Sequence, residues 1–364
     1  MNVLFHSTAK KYQELVLVFL LAFLLISNSF SQESTVNIVP LTDLKSEYIL
    51  PARYGQNTSN SSLVSVSNIR GILQDSPSGF TLQLGDILPV EDFTLPESVF
   101  LESFNIMASD VKHIISDKDS DHAIDIQFVT YKGSIEEEGW VNLNFSQIGV
   151  MGLFRSGSRT FIIEPVPAIA SEPEPDRSKH IIYEMSDSVF TGDWCGVETD
   201  FLPHHLKEFM SNLNLVSAQK SVSAQLTVQL ALETDYETYV SFDSDSLVTT
   251  AYLLSIAASA SQFYIQEVDI KLEVSYSRVW TTPEDPYTEK GFSLFSEFRN
   301  YWNANMQDVE RDVALLIIKD GTRLSGGMAA LDALCNTESA YAISGENIGV
   351  VVHELGHIFG APHT

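Results

Sequence analysis

The sequence predicts an all-β unit followed by an α/β unit. Three observations predict it: short stretches that alternate apolar and polar residues up to about residue 170, a strand, helix, strand, helix, strand order after about residue 218, and an apolar stripe at helical spacing at the chain's end. In the first part Phe80-Thr81-Leu82-Gln83-Leu84, Ile124-Asp125-Ile126-Gln127-Phe128 and Val141-Asn142-Leu143-Asn144-Phe145 alternate at period two, as half-buried strands do. Ser76-Pro77-Ser78-Gly79 and Ser156-Gly157-Ser158 are turn signals between such strands. The stretch from Pro165 to Pro175, rich in Pro, Ala and Glu, reads as a linker.

In the second part Leu226, Val228, Leu230 and Leu232 alternate as a strand. Leu247, Ala251, Leu254 and Ala258 mark one face of a long helix, and Val268, Ile270, Leu272 and Val274 alternate again. Phe292, Phe295, Phe298 and Trp302 give a second helix. Val313-Ala314-Leu315-Leu316-Ile317-Ile318 is a continuous apolar run, the mark of a strand buried on both faces. The last helix carries Ile348, Val352, Leu355 and Phe359 on one side and packs beneath the sheet.

At 364 residues and 44% hydrophobic content the chain is long enough for two packed units. Lys10 and Lys11, an apolar run from Leu15 to Ile26, and Ser29-Phe30-Ser31 have the layout of a secretory leader over residues 1–31. The run is short for a bilayer span, so a secreted, extracellular product without stable membrane insertion is expected once the leader is removed. The formal net charge is -27, from 21 basic and 48 acidic residues. That balance argues against nucleic-acid binding, which neutralises phosphates with clustered Lys and Arg. Asn57-Thr58-Ser59, Asn60-Ser61-Ser62 and Asn144-Phe145-Ser146 are glycosylation sequons in a host that uses them. His180, His204 and His205 read as surface residues.

The chemistry lies in the last residues. His353-Glu354-Leu355-Gly356-His357-Ile358-Phe359-Gly360-Ala361-Pro362-His363 reads H-E-x-x-H-x-x-G-x-x-H. Residues four apart in a helix share a face, so His353 and His357 can offer ring nitrogens to one ion, with Glu354 beside it. Gly360 permits a left-handed exit that returns His363 as a third ligand. Three protein ligands and one open position suit catalytic zinc (Zn2+). H-E-x-x-H alone arises by chance in roughly one chain per hundred of this length, and the added Gly and His make the whole string about a thousandfold rarer.

This string is the metzincin signature, and the chain from about residue 218 resembles the catalytic domain of the adamalysin or reprolysin branch of zinc metalloproteases. Gly149 and the run through Phe161-Ile162-Ile163-Glu164-Pro165 resemble the closing strands of that family's propeptide. Ser325-Gly326-Gly327-Met328-Ala329 and Cys335 resemble its substrate-side edge strand and following loop. The resemblance implies an all-β propeptide over residues 32–200 and an α/β catalytic domain over 201–364 with a mixed sheet and an active-site helix. The implied activity is that of a secreted endopeptidase made as a zymogen, acting on protein or peptide substrates with Glu354 as general base. Asp193-Trp194-Cys195-Gly196-Val197 resembles a cysteine switch, in which the Cys195 thiolate takes the fourth zinc position at about 2.3 Å. The alternative is a disulfide between Cys195 and Cys335, the two cysteines of the chain. The chain stops one residue after His363, short of the methionine turn and specificity-pocket wall of metzincins, so a fragment is expected. Thr364 stands where adamalysins carry aspartate. Two other readings keep the motif: a protease-like binding or adhesion module without activity, and a zinc hydrolase of non-peptide amides or esters.

Overall fold

The computed structural model describes residues 35–41, 61–84, 87, 95–135, 139–157, 159–166, 176–185, 225–319, 321–334 and 336–363, and the backbone of 195–198. The leader, residues 167–175 of the linker, His204, His205, Cys335, Thr364, the sequon asparagines Asn57 and Asn60, and the Cys195 side chain lie outside the described residues.

The first part of the chain forms β1 (Thr35–Pro40), β2 (Ser61–Val66), α1 (Ile69–Asp75), β3 (Gly79–Leu84), β4 (Ser98–Phe104), β5 (Met107–Ser116), β6 (Asp121–Ala123), β7 (Phe128–Ile135), β8 (Gly139–Ser146), β9 (Gly149–Ser156), β10 (Arg159–Pro165) and β11 (Lys179–Glu184). Nine of these strands close a barrel in the order β1-β2-β11-β10-β9-β8-β7-β4-β3. Every pairing is antiparallel except β1 with β3, which is parallel. Closure leaves this sheet no free edge. Its interior is apolar, with Phe80, Tyr131 and Phe145 meeting edge to face at 4.8 to 5.7 Å between ring centroids. Each such pair adds about 0.5–1.5 kcal/mol beyond its buried area.

The second part forms β12 (Cys195–Glu198), β13 (Leu226–Thr234), α2 (Tyr236–Ser241), α3 (Ser246–Val268), β14 (Ile270–Trp280), α4 (Phe292–Asn305), β15 (Val313–Ile318), β16 (Gly327–Ala330), β17 (Tyr341–Gly345) and α5 (Ile348–Ile358). Its sheet runs β12-β16-β17-β15-β13-β14-β5-β6. The pairs are parallel except β16 with β17 and β5 with β6. β15 is buried at all six positions, as its continuous apolar run predicts.

Four details depart from the sequence reading. First, β5 and β6 leave the barrel and extend the mixed sheet beyond β14. His113 Nδ1 meets Ser277 Oγ at 2.7 Å across this junction, and Arg278 Nη2 donates to Asp121 Oδ2 at 3.0 Å. Second, residues 124–127 are not a strand; they connect β6 to β7. Third, Val268 ends α3 rather than starting β14, because Asp269 takes a left-handed conformation (φ 57°) that stops the helix. Fourth, β8 is buried on both faces, not one.

The cause of the last departure is α3. This helix lies between the barrel wall and the mixed sheet, so it is buried around most of its circumference rather than along one stripe. Asn144 of β8 donates from Nδ2 to Ser255 O and Ser259 Oγ of α3, both at 3.3 Å. The sequon at Asn144 therefore sits fully buried, with its amide satisfied inside the protein. His180 is also fully buried rather than on the surface. Its Nδ1 faces the nearby Ser178 O at 2.9 Å, and its Nε2 accepts from the Val150 N–H at 2.8 Å, a bond that only the folded barrel creates. Beneath α4, Glu233 of β13 is buried and accepts from Trp280 Nε1 (2.5 Å), Tyr287 OH (2.6 Å) and Trp302 Nε1 (2.6 Å).

Candidate metal centre

The helix that carries the motif begins at Asn347, whose Oδ1 accepts from the Gly349 N–H at 2.8 Å and the Val350 N–H at 3.4 Å. That cap satisfies donors a helix start leaves orphaned. Ile348, Val351, Leu355 and Ile358 are buried, while Val352 and Phe359 are half-buried. The packed face of α5 is thus broader than the stripe read from the sequence. Neighbours fix the helix from the side as well: Tyr264 of α3 donates to Val352 O at 2.8 Å and its ring lies 4.9 Å from that of Phe359.

The far end is held by the segment after β16. Asp332 N–H donates to His357 O at 2.8 Å, and the N–H groups of Ala333 and Leu334 donate to Ile358 O at 3.1 and 3.2 Å. These bonds fill carbonyls that a helix end leaves open. Gly360 follows with φ 91°, a conformation that favours glycine. The chain therefore turns back over the helix, as expected, and brings His363 to the histidines of α5.

All three histidines converge. His357 Nε2 lies 3.1 Å from His353 Nε2, and His353 Nε2 lies 3.3 Å from His363 Nε2. The three ligand atoms all fall within 4.8 Å of one another. Nitrogens about 2.0–2.1 Å from one tetrahedral ion stand about 3.3–3.4 Å apart, so the donor set fits zinc. His357 Nδ1 points at Ala361 O at 2.6 Å, which makes it the protonated nitrogen and leaves the Nε2 lone pair for a metal. Burial holds His353 and His357 below the ordinary imidazole range. The neighbouring rings push both further down, and the Ala361 carbonyl opposes this at His357. Both rings thus favour the neutral form that binds metal.

Glu354 is 1% exposed and lies against Gly327 of β16. β12 pairs parallel with β16, Cys195 opposite Gly327, so the strand expected at the sheet's edge is covered by a further one. The Cys195 backbone thus lies one strand spacing from the glycine that touches Glu354.

Residues 224–364 match the Reprolysin_5 family model, of metallopeptidase family M12. This region is a reprolysin-like metzincin domain. The metzincin motif is the string that gathers the three rings. The chain is also 27% identical, over 253 residues, to disintegrin and metalloproteinase domain-containing protein 19 from Mus musculus, an alignment covering 64% of this chain and 26% of the relative. It thus spans about a quarter of that relative's length. Among solved structures it is similar to metalloproteinase-II from Bacteroides fragilis, with a TM-score of 0.44, 14% identity, and coverage of 82% of this chain and 86% of the other.

Sequence reasoning missed three supports of the site. Asn347 was readable as a cap residue directly before an apolar helical run. The 332–334 clamp and the role of Gly327 had no sequence signal, because both depend on how β16 meets α5.

Proposed function

We propose that the protein is a secreted zinc endopeptidase made as a zymogen, with residues 32–200 as propeptide and 201–364 as catalytic domain. The observation that carries this reading is the convergence of His353, His357 and His363 beside the buried carboxyl of Glu354. His353, His357 and His363 would hold zinc, which would supply Lewis acidity and lower the pKa of the attacking water towards neutrality. Glu354 takes the proton of the attacking water and passes it to the leaving amine. His357 keeps its Nδ1 proton on Ala361 O throughout, which fixes the ring's orientation.

Substrate would add to β16 as an extended strand, gaining main-chain hydrogen bonds. β12 lies along that strand here, which supports a latent state in which residues 195–198 occupy the substrate's place. The register of Cys195 with Gly327 supports the zinc switch over a disulfide to Cys335, because it sets Cys195 beside the strand that touches Glu354.

The test uses the full chain with a protease site inserted after Asp200. Cutting should release casein hydrolysis, with one zinc per chain before and after. Glu354→Gln should retain that zinc and lose about 10²–10⁴-fold in kcat. Hydrolysis by Glu354→Gln at the parental rate would refute the assigned base. Zinc binding with no hydrolysis of casein in the cut parent would favour a binding module, and hydrolysis of small esters or amides alone would favour a non-peptide hydrolase.

A further inference from the structure

We infer that Gly327 is a positioning residue for Glu354: its missing side chain is the space in which the carboxyl group sits. This deepens the endopeptidase reading and rests on it.

Two adjacent glycines start β16, and they are glycine for different reasons. Gly326 has φ 92°, where any L side chain is strained, so its backbone demands glycine. Gly327 is not among the positive-φ residues, and nothing in its backbone demands glycine. A Cβ placed there would overlap Cγ of Glu354 and lie 2.5 Å from both its Cδ and Oε1, about 1 Å inside ordinary contact. The atoms it would meet are Cγ and the carboxyl group's own Cδ and Oε1.

The surroundings decide which partner would yield. β16 is bonded on both sides, parallel to β12 and antiparallel to β17, with Gly327 opposite Ser344 and the Gly345 N–H donating to Gly326 O at 2.8 Å. α5 is capped at Asn347 and clamped at its other end by residues 332–334. Neither backbone can retreat cheaply, so the Glu354 side chain must rotate away. A displacement of about 1 Å in a reacting group can cost on the order of 10²-fold in rate. The same contact ties Glu354 to the strand on which a substrate would pair, so the base and the substrate's main chain share one reference surface.

The test has an arm that needs no activity. In zinc-free full-length chain, Gly327→Ala should lower Tm by roughly 2–12 °C through overpacking. In a Glu354→Ala background, which removes Cγ, Cδ and Oε1, the same substitution should cost no more than about 1 °C. Equal losses in both backgrounds would overturn the contact. In the cut chain, Gly327→Ala should lower kcat about 100-fold with KM changed less than about twofold and one zinc retained. A kcat within about twofold of the parent, or a rise in KM alone, would overturn the positioning role. If the cut parent hydrolyses no peptide, the endopeptidase reading falls together with the role built on it, while the thermal comparison still decides the contact.

Discussion

Glu233→Gln tests the buried network beneath α4. Two indole N–H groups, which can only donate, reach the two carboxyl oxygens separately, Trp280 to Oε1 and Trp302 to Oε2, and Tyr287 shares Oε1. Burial holds this carboxyl above the ordinary carboxylate range on balance, and the nearby Arg278 charge and the three donors oppose that rise. With both oxygens accepting from obligate donors, the anion is the form the site is built for. Glutamine keeps one carbonyl oxygen for Trp280 and Tyr287 but turns an NH2 group towards the Trp302 N–H. One charge-assisted hydrogen bond is lost and one buried donor is orphaned, a cost of about 3 kcal/mol. At roughly 2–4 °C per kcal/mol, Tm should fall by roughly 6–12 °C, measured by calorimetry at pH 7.5. Adding Trp302→Phe should recover part of the loss, since it removes the orphaned donor. A Glu233→Gln protein within about 0.5 kcal/mol of the parent would mean that the site holds a neutral carboxylic acid and that the reasoning is wrong.

Two further tests concern the scaffold. His180 is fully buried, and burial lowers its pKa from 6.5 to about 4. Above pH 6.5 the ring is neutral in both states; between 6.5 and 4 only the unfolded chain takes the proton, so stability present above pH 6.5 is lost as pH falls. The loss amounts to about 3 kcal/mol. Urea unfolding at pH 7.5 and 4.5 should show the stability gap between the parent and His180→Gln narrowing by that amount at acid pH, and parallel pH profiles would rule the ring out as the source. Asn347→Ala should cost about 1 kcal/mol and lower Tm by roughly 2–4 °C, while Asn347→Asp, which still accepts hydrogen bonds, should stay near the parent. A thermal scan in which the alanine variant matches the parent would remove the cap from the account.

What could be read from the sequence was whatever local spacing determines. The three histidines needed only helix period and one glycine turn to be placed together, and both are local. The six apolar residues of β15 announced their burial in the same way, as did Phe295, Phe298 and Trp302 of α4, whereas Phe292 at the start of that helix is exposed. What failed depends on distant partners. Nothing within Met107–Ser116 says that it pairs with a strand more than 150 residues later rather than with its barrel neighbours. Asn142 and Asn144 look like the polar face of a half-buried strand until α3 is laid across them. His180 reads as a surface residue because the partner that accounts for its Nε2, the Val150 N–H, comes from a strand 30 residues away. Gly327 is uninformative as a letter, and its meaning lies in the carboxyl group that occupies its missing Cβ.

The attachment of β5 to β14 bears on how the molecule is made. β14 is eleven residues long, and without β5 its outer row of amide and carbonyl groups would lie open to any passing extended chain. Because β5 precedes β14 in the sequence, a ribosome delivers the cover before the surface that needs covering. Recombinant material started at the family-matched region would lack β5 altogether, and its unshielded ladder would be the first place to look for the cause of any precipitate.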